Sequence, residues 1–238
     1  MFTQRLSLTN QDARKLSSTR LHKLGSIAET ADGRVYRYSR AAGTALAAGK
    51  LNINADLVAH HTNVAVAAAV TAGAFEVTAT IGATAATLDQ YRDGFMTVND
   101  ATGEGITYAV NGNMAADASG TLRVTLAEPV IVALTTSSEV TMKYNTFDQV
   151  VISIADQADQ AAGVANTAVT ADYYFWQQTR GECAVLADEA VAKGLALTIG
   201  SSTVGAVEAL DAAGEHQIGI ASEALVDTEF RSAFLTID

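Results

Sequence analysis

The stretch that most limits what this chain can fold into runs from Gly181 to Gly200, GECAVLADEAVAKGLALTIG. Apolar residues up to Leu186 lead into Asp188-Glu189, the chain reverses between Ala190 and Gly194, and Leu195, Leu197 and Ile199 then alternate with Ala196 and Thr198. A period of two marks a strand with one buried face, so the stretch reads as strand, tight turn, strand. A further turn and strand follow at GEHQIGI (214–220), and SAFLTID (232–238) forms a closing apolar run. Upstream, Ala45-Leu46-Ala47-Ala48-Gly49 echoes Ala190-Val191-Ala192-Lys193-Gly194, and each is followed by a strand-like run. No long segment keeps a helical period, which points away from helical architectures.

The region from Tyr91 to Ile154 repeats the pattern in antiparallel form. Ile106, Tyr108 and Val110 share one face of GITYAV, Leu122, Val124 and Leu126 one face of TLRVTL, and Val140, Met142 and Tyr144 one face of EVTMKY. Asn111-Gly112 is the dipeptide favoured in two-residue hairpin turns, because both positions accept positive φ. Between residues 64 and 86, FEVTATI alternates cleanly enough to favour strand over helix. RVYRYS (34–39) reads as an early strand with Tyr36 and Tyr38 on one face, and residues 155–171 read as a polar connector or a short helix ending near Gly163. The run Tyr173-Tyr174-Phe175-Trp176 is either a central strand covered on both faces or a strand with an exposed contact patch, the covered form being favoured by aromatic burial.

The expected fold class is therefore mainly β: an antiparallel β-barrel or sandwich body with an extended N-terminal arm and few short helices. Residues 1–33 form the basic arm, 34–62 and 151–238 the β-rich body, and 63–150 an inserted or additional antiparallel β domain. The 46 alanines make the core lean for a chain of 238 residues, which favours added stabilisation between subunits. Charge is uneven: residues 1–40 carry a net +5 and residues 41–238 a net −16. A basic arm on an acidic body is either a solvated tail or a contact for another acidic protein surface, a second copy included, and suits nucleic acid or an anionic membrane less well. The leucines of residues 1–30 are irregularly spaced, so the arm is expected to order only on contact.

Candidate chemistry is sparse. Cys183 is the single cysteine, so no internal disulfide or paired-cysteine metal site is expected. His60-His61 with Asp56 lacks zinc-site spacing, because adjacent strand residues face opposite ways. Asp89, Asp93, Asn99 and Asp100 do not follow an EF-hand loop. GSSTVG (200–205) is not a nucleophile elbow, and Gly103-Glu104-Gly105 lacks the lysine of a phosphate loop. No cofactor, no catalytic residue and no metal is expected. No apolar run reaches membrane-spanning or signal-peptide length, giving an expectation of a soluble protein made in a reducing cytoplasm with no membrane partner.

Three segments, GECAVLADEAVAKGLALTIG, VGAVEAL and GEHQIGIASEALVDTEFRSAFLTID, together with LHKLGSIAETADGRVYRYSRAAGTALAAGKL upstream, resemble the capsid decoration, or cement, proteins of tailed bacteriophages. The resemblance implies a non-enzymatic structural protein of the virion, on the outer surface of the capsid, binding the major capsid protein and itself, as a homotrimer, to stabilise the head. Its expected contact residues are Arg5, Arg14, Lys15, Arg20, Lys23, Arg34, Arg37, Arg40, Tyr174 and Trp176. The alternatives are another virion component, such as a tail tube or head fibre base, and a glycan-binding β domain.

Overall fold

The computed structural model describes residues 5–155, 157 and 159–238. The fold is mainly β, and its only helical elements among these residues are two three-residue 3-10 turns, Asp12–Arg14 and Ala59–His61. The strands in chain order are β1 (Leu6–Leu8), β2 (Ile27–Thr30), β3 (Val35–Arg40), β4 (Leu51–Ile53), β5 (Val64–Ala65), β6 (Glu76–Thr80), β7 (Phe95–Asp100), β8 (Thr107–Asn113), β9 (Thr121–Leu126), β10 (Glu139–Lys143), β11 (Val151–Ile152), β12 (Ala161–Ala165), β13 (Tyr174–Ala187), β14 (Ala196–Ile199), β15 (Ala206–Ala209), β16 (Gly219–Ala221) and β17 (Phe230–Thr236).

The chain divides into two units, Met1–Ala55 with Thr146–Asp238, and Asp56–Asn145. Residues 56–62, placed with the body by sequence, thus belong to the second unit. The reason is His61: its Nε2–H donates to the Thr84 carbonyl oxygen (2.8 Å), leaving Nδ1 to accept from the Tyr91 hydroxyl. Residues 146–150 go the other way, held by an Ala41–Val150 bridge and by the Arg40 guanidinium on Asp148 (2.6 Å).

The second unit is a six-stranded sheet in the order β5-β10-β7-β8-β9-β6, and a Val66–Ala79 bridge brings its two ends together. Closure removes the sheet edges. In β9, Leu122, Val124 and Leu126 point inward while Thr121, Arg123 and Thr125 face out. They meet Tyr91, Met96, Val98, Tyr108, Val140 and Met142 in one core, each large apolar side chain contributing about 1.5–3 kcal/mol on burial. Asn111-Gly112 is not the expected hairpin turn: both residues lie inside β8, at a bulge opposite β9. A Cβ on Gly112 would stand 2.5 Å from Asp89 Oδ1, so the glycine serves a close approach rather than a reversal.

The first unit is organised on β13, the longest strand. Its C-terminal half closes a five-stranded ring, β13-β15-β14-β16-β17, because β17 pairs back onto β13. Val185, Ala187, Leu197, Ile199, Val207 and Leu235 fill that ring. Its N-terminal half pairs with β3 and β12, and β12 pairs in turn with β4. The connector expected at 155–171 therefore contains a strand. Gly163, which would end a short helix under one of the two readings of this segment, sits in a β-bulge at φ +148 with Gln177 against it.

The N-terminal segment is extended, as its sequence indicates, but it is packed. β1 runs parallel to β2, Ser17 bridges Tyr174, and the Leu21 N–H donates to the Tyr38 hydroxyl. Ala13, Leu24 and Ala28 are buried with Tyr36, Tyr38 and Trp176. Backbone hydrogen bonds spaced along turns, not an amphipathic stripe, fasten it, which is why its leucine spacing shows no period.

The echo between Ala45–Gly49 and Ala190–Gly194 extends to eight places. At Leu46, Val70, Ala86, Ala116, Leu134, Val169, Val191 and Leu225 the preceding residue is an exposed alanine. Each is followed by a turn closed by the N–H four residues on and the carbonyl one residue on, as in Leu195 N–H to Ala192 O (3.3 Å) and Ala74 N–H to Thr71 O (3.2 Å). The eight combine as four reciprocal pairs, Leu46 with Val169, Val70 with Leu134, Ala86 with Ala116 and Val191 with Leu225, each exchanging both backbone hydrogen bonds. In seven of them the third residue after the paired one has positive φ: Gly49, Gly73, Asp89, Ser119, Asp172, Gly194 and Thr228. Gly, Asp and Ser are residues suited to such turns.

Candidate interaction surface

On the outer face of the five-stranded ring, strand register sets side chains in rows. Phe234 of β17 is the Cα partner of Glu182 on β13 and of Ile220 on β16, and Phe230 is the partner of Leu186. Directly opposed residues share a face, so Glu182, Phe234 and Ile220 lie across three strands with Phe230 two rungs along. Phe230, Phe234 and Ile220 are 53%, 39% and 38% exposed. Alternation explains this: Ala233 and Leu235 take the inward positions of β17 and leave the phenylalanines outside.

Phe230 borders a groove of about 390 Å³ whose walls include Arg14, Arg34, Ala48, Gly49, Glu182 and Ala184. Gly49 has φ +73, and a Cβ there would stand 2.7 Å from the Phe230 ring. Only glycine meets both demands. The floor is a hydrogen-bonded network. Asn166 Nδ2 donates to Gln178 Oε1 (2.9 Å) and to the Tyr36 hydroxyl (3.2 Å), Gln178 Nε2 donates to the Glu182 carbonyl (2.8 Å), and the Cys183 thiol donates to Asn166 Oδ1 (3.4 Å). Burial pushes the Cys183 thiol up to about 12, against a smaller downward pull from Arg34. Protonated at neutral pH, it is a packing group rather than a nucleophile. The Glu182 carboxylate accepts from Ser222 Oγ (2.7 Å) and Ser232 Oγ (2.8 Å). The groove thus combines an aromatic wall, a basic rim and a fixed carboxylate.

Of the ten residues expected to make contacts, Arg14 and Arg34 come together on this rim. Arg34 is oriented by Asp32 Oδ2 (2.7 Å) and Asn10 Oδ1 (2.7 Å), and Asp32 is held well below the usual carboxylate range by its hydrogen bonds from Arg34 and Thr30. The others are dispersed. Arg5 pairs with Glu29 (2.8 Å), Lys15 with Asp12 (2.7 Å), and Arg20 Nε donates to the His22 carbonyl (3.0 Å). Lys23 is exposed. Arg37 is spent internally, bonding both carboxylate oxygens of Asp238 (2.6 and 2.9 Å) and the Gly25 carbonyl while lying over the Phe147 ring. Arg40 is likewise engaged by Asp148, whose carboxyl is pushed up by burial against the opposing pull of Arg40. Tyr174 is half-buried, stacked on Tyr38 with ring centroids 5.9 Å apart. Trp176 is no surface contact: it is 5% exposed, packed against Tyr38 and His22 beneath the N-terminal segment.

Sequence reasoning missed Phe230, Phe234 and Ile220. A signal was present, since FRSAFLT is apolar on both alternating faces, and a closed ring buries only one of them. His60 and His61 have partners within the second unit, on Thr84 and on Tyr91 with Thr84 respectively. Asp89 and Asp93 are turn residues at positive φ. Among the described residues no group of three or more His, Cys, Asp or Glu side chains gathers as for a metal ion. No protein-family model matches the chain, and no curated protein and no solved structure was found to be similar to it.

Proposed function

We infer that this chain is a capsid decoration protein: a non-enzymatic structural protein that binds the outer surface of an assembled tailed-phage head, as a homo-oligomer, and cements neighbouring major capsid subunits. The observation that carries the reading is the exposed row of Phe230, Phe234 and Ile220 beside a groove rimmed by Arg14 and Arg34. Exposed aromatics bordered by arginine are typical of protein-contact surfaces. The reading gains support from where the resembling segments fall, since residues 21–51 and 181–238 all belong to the first unit. The mechanism is avidity. Each copy makes a modest contact, and simultaneous engagement of several subunits of the lattice multiplies it.

The test is binding of purified protein to expanded heads that lack it. Wild type is expected to bind and to raise the heads' resistance to heat or chelator. The variant Phe230→Ser/Phe234→Thr, which changes only outward positions and sets no new charge opposite Glu182, is expected to keep its circular dichroism and a cooperative melt while losing binding at least tenfold. Failure of the wild type to bind, or binding without added resistance, refutes the reading. A variant that still binds as wild type does refutes the placement of the surface.

A further inference from the structure

We propose that the first unit encloses an ordered internal water, held jointly by the side-chain amides of Asn52 and Gln177. Both residues are fully buried, and the amide nitrogen and oxygen of each have no hydrogen-bond partner in the protein. Buried side-chain amides are nearly always satisfied, and two such groups in one neighbourhood mark a site.

The strand register places them in that neighbourhood. Asn52 on β4 is the Cα partner of Gly163 on β12, and Ala165, two residues further along β12, is the partner of Gln177 on β13. Leu51, Ile53 and Val164 point to the opposite side, into the core of the ring, so Asn52, Gly163, Ala165 and Gln177 share one face. Gly163 lacks the side chain that would separate the two amides. A Cβ there would lie 3.0 Å from Gln177 Cγ and 3.1 Å from Cδ. The bulge between Ala161 and Gly163 and the φ of +148 at Gly163 form the gap that Gln177 occupies.

The chemistry selects the guest. Each amide offers two N–H donors and a two-lone-pair acceptor, so a bound anion would satisfy only donors and a cation only acceptors. Ile152 is the strand partner of Asn52, and Ala165 and Phe175 belong to the adjoining core, while the charged residue opposite Gln177, Arg37, is already engaged by the Asp238 carboxylate and the Gly25 carbonyl. A small neutral molecule that donates and accepts fits such a place, and water is the guest that does so with two to four bonds. Bridging Asn52 to Gln177, it ties β4 to β13 across the intervening β12, where the bulge interrupts regular pairing.

The experiment uses the full chain, labelled with nitrogen-15. Nuclear Overhauser contacts from water to the side-chain NH2 groups of both Asn52 and Gln177, with the sign of a long-lived water, are the expected result. Water contacts at neither amide or at only one of them, or a direct contact between the amides without water, overturns the proposal. In a second measurement, magnetic relaxation dispersion is expected to count at least one fewer long-lived water in Gln177→Met than in wild type. An unchanged count in a folded variant also overturns it. Should Gln177→Met fail to fold, the wild-type contacts decide alone.

Discussion

Replacing Leu134 with alanine tests whether the two units keep separate cores. Leu134 is almost fully buried in the second unit, exchanges both backbone hydrogen bonds with Val70 at 2.9 Å, and has a Cδ atom 2.6 Å from where a Cβ on Gly103 would stand. Alanine retains the backbone pair, so the loss is confined to side-chain packing. A closed barrel backed by a glycine offers little to fill the void, which sets the cost at about 3 kcal/mol within the 2–5 usual for such a change. For a unit spanning Asp56–Asn145, the unfolding entropy is about 0.19 kcal/mol/K, and the melting temperature is expected to fall by about 15 °C. Differential scanning calorimetry on the whole chain is the assay. The transition of the second unit, with an enthalpy of about 60 kcal/mol, should move while that of the first unit stays within about 1 °C. One transition that moves as a whole, or a shift below about 5 °C, refutes the reasoning.

Acid should weaken the first unit through carboxylates whose folded pKa is depressed. Asp12 is lowered to about 2, chiefly by its hydrogen bond from Lys15, and Asp238 is lowered because hydrogen bonds from Arg37 and Thr179 outweigh the upward push of burial. Folded values below unfolded ones mean stability that is complete above the ordinary carboxylate range and lost as pH falls through the folded values. Melting temperatures should therefore decline from pH 4 to pH 2, and Asp238→Asn should flatten part of that decline; an equally steep decline in the variant rules out the Asp238 contribution. The Cys183 thiol, buried and pushed up to about 12, should react with a disulfide reagent at least a hundredfold more slowly in native buffer than in denaturant at pH 8, and comparable rates would contradict its placement.

Strands whose side chains alternate are legible in the residues alone. Leu122, Val124 and Leu126 are inward because the period of two is written into TLRVTL, and Tyr36 with Tyr38 shares a face for the same reason. The turn at Ala190–Gly194 was legible too, because glycine at positive φ is a local requirement. Non-local pairing was not. Two copies of the alanine-led turn are visible as an echo, but eight copies joined as four pairs exist only once residues as distant as Leu46 and Val169 exchange hydrogen bonds. Asn111-Gly112 carries a hairpin signature, yet the approach of Asp89 and the pairing of β9 turn it into a bulge. The contact surface depended on the same step. Alternation alone could not say which face of FRSAFLT is covered; closure of β17 onto β13 and β16 put Ala233 and Leu235 inside and left Phe230 and Phe234 in solvent. Local periodicity is a property of the chain, whereas exposure is a property of what packs against it. Thus Trp176 was consumed by the N-terminal segment, Arg37 and Arg40 by ion pairs, and Phe230 was left beside the arginines.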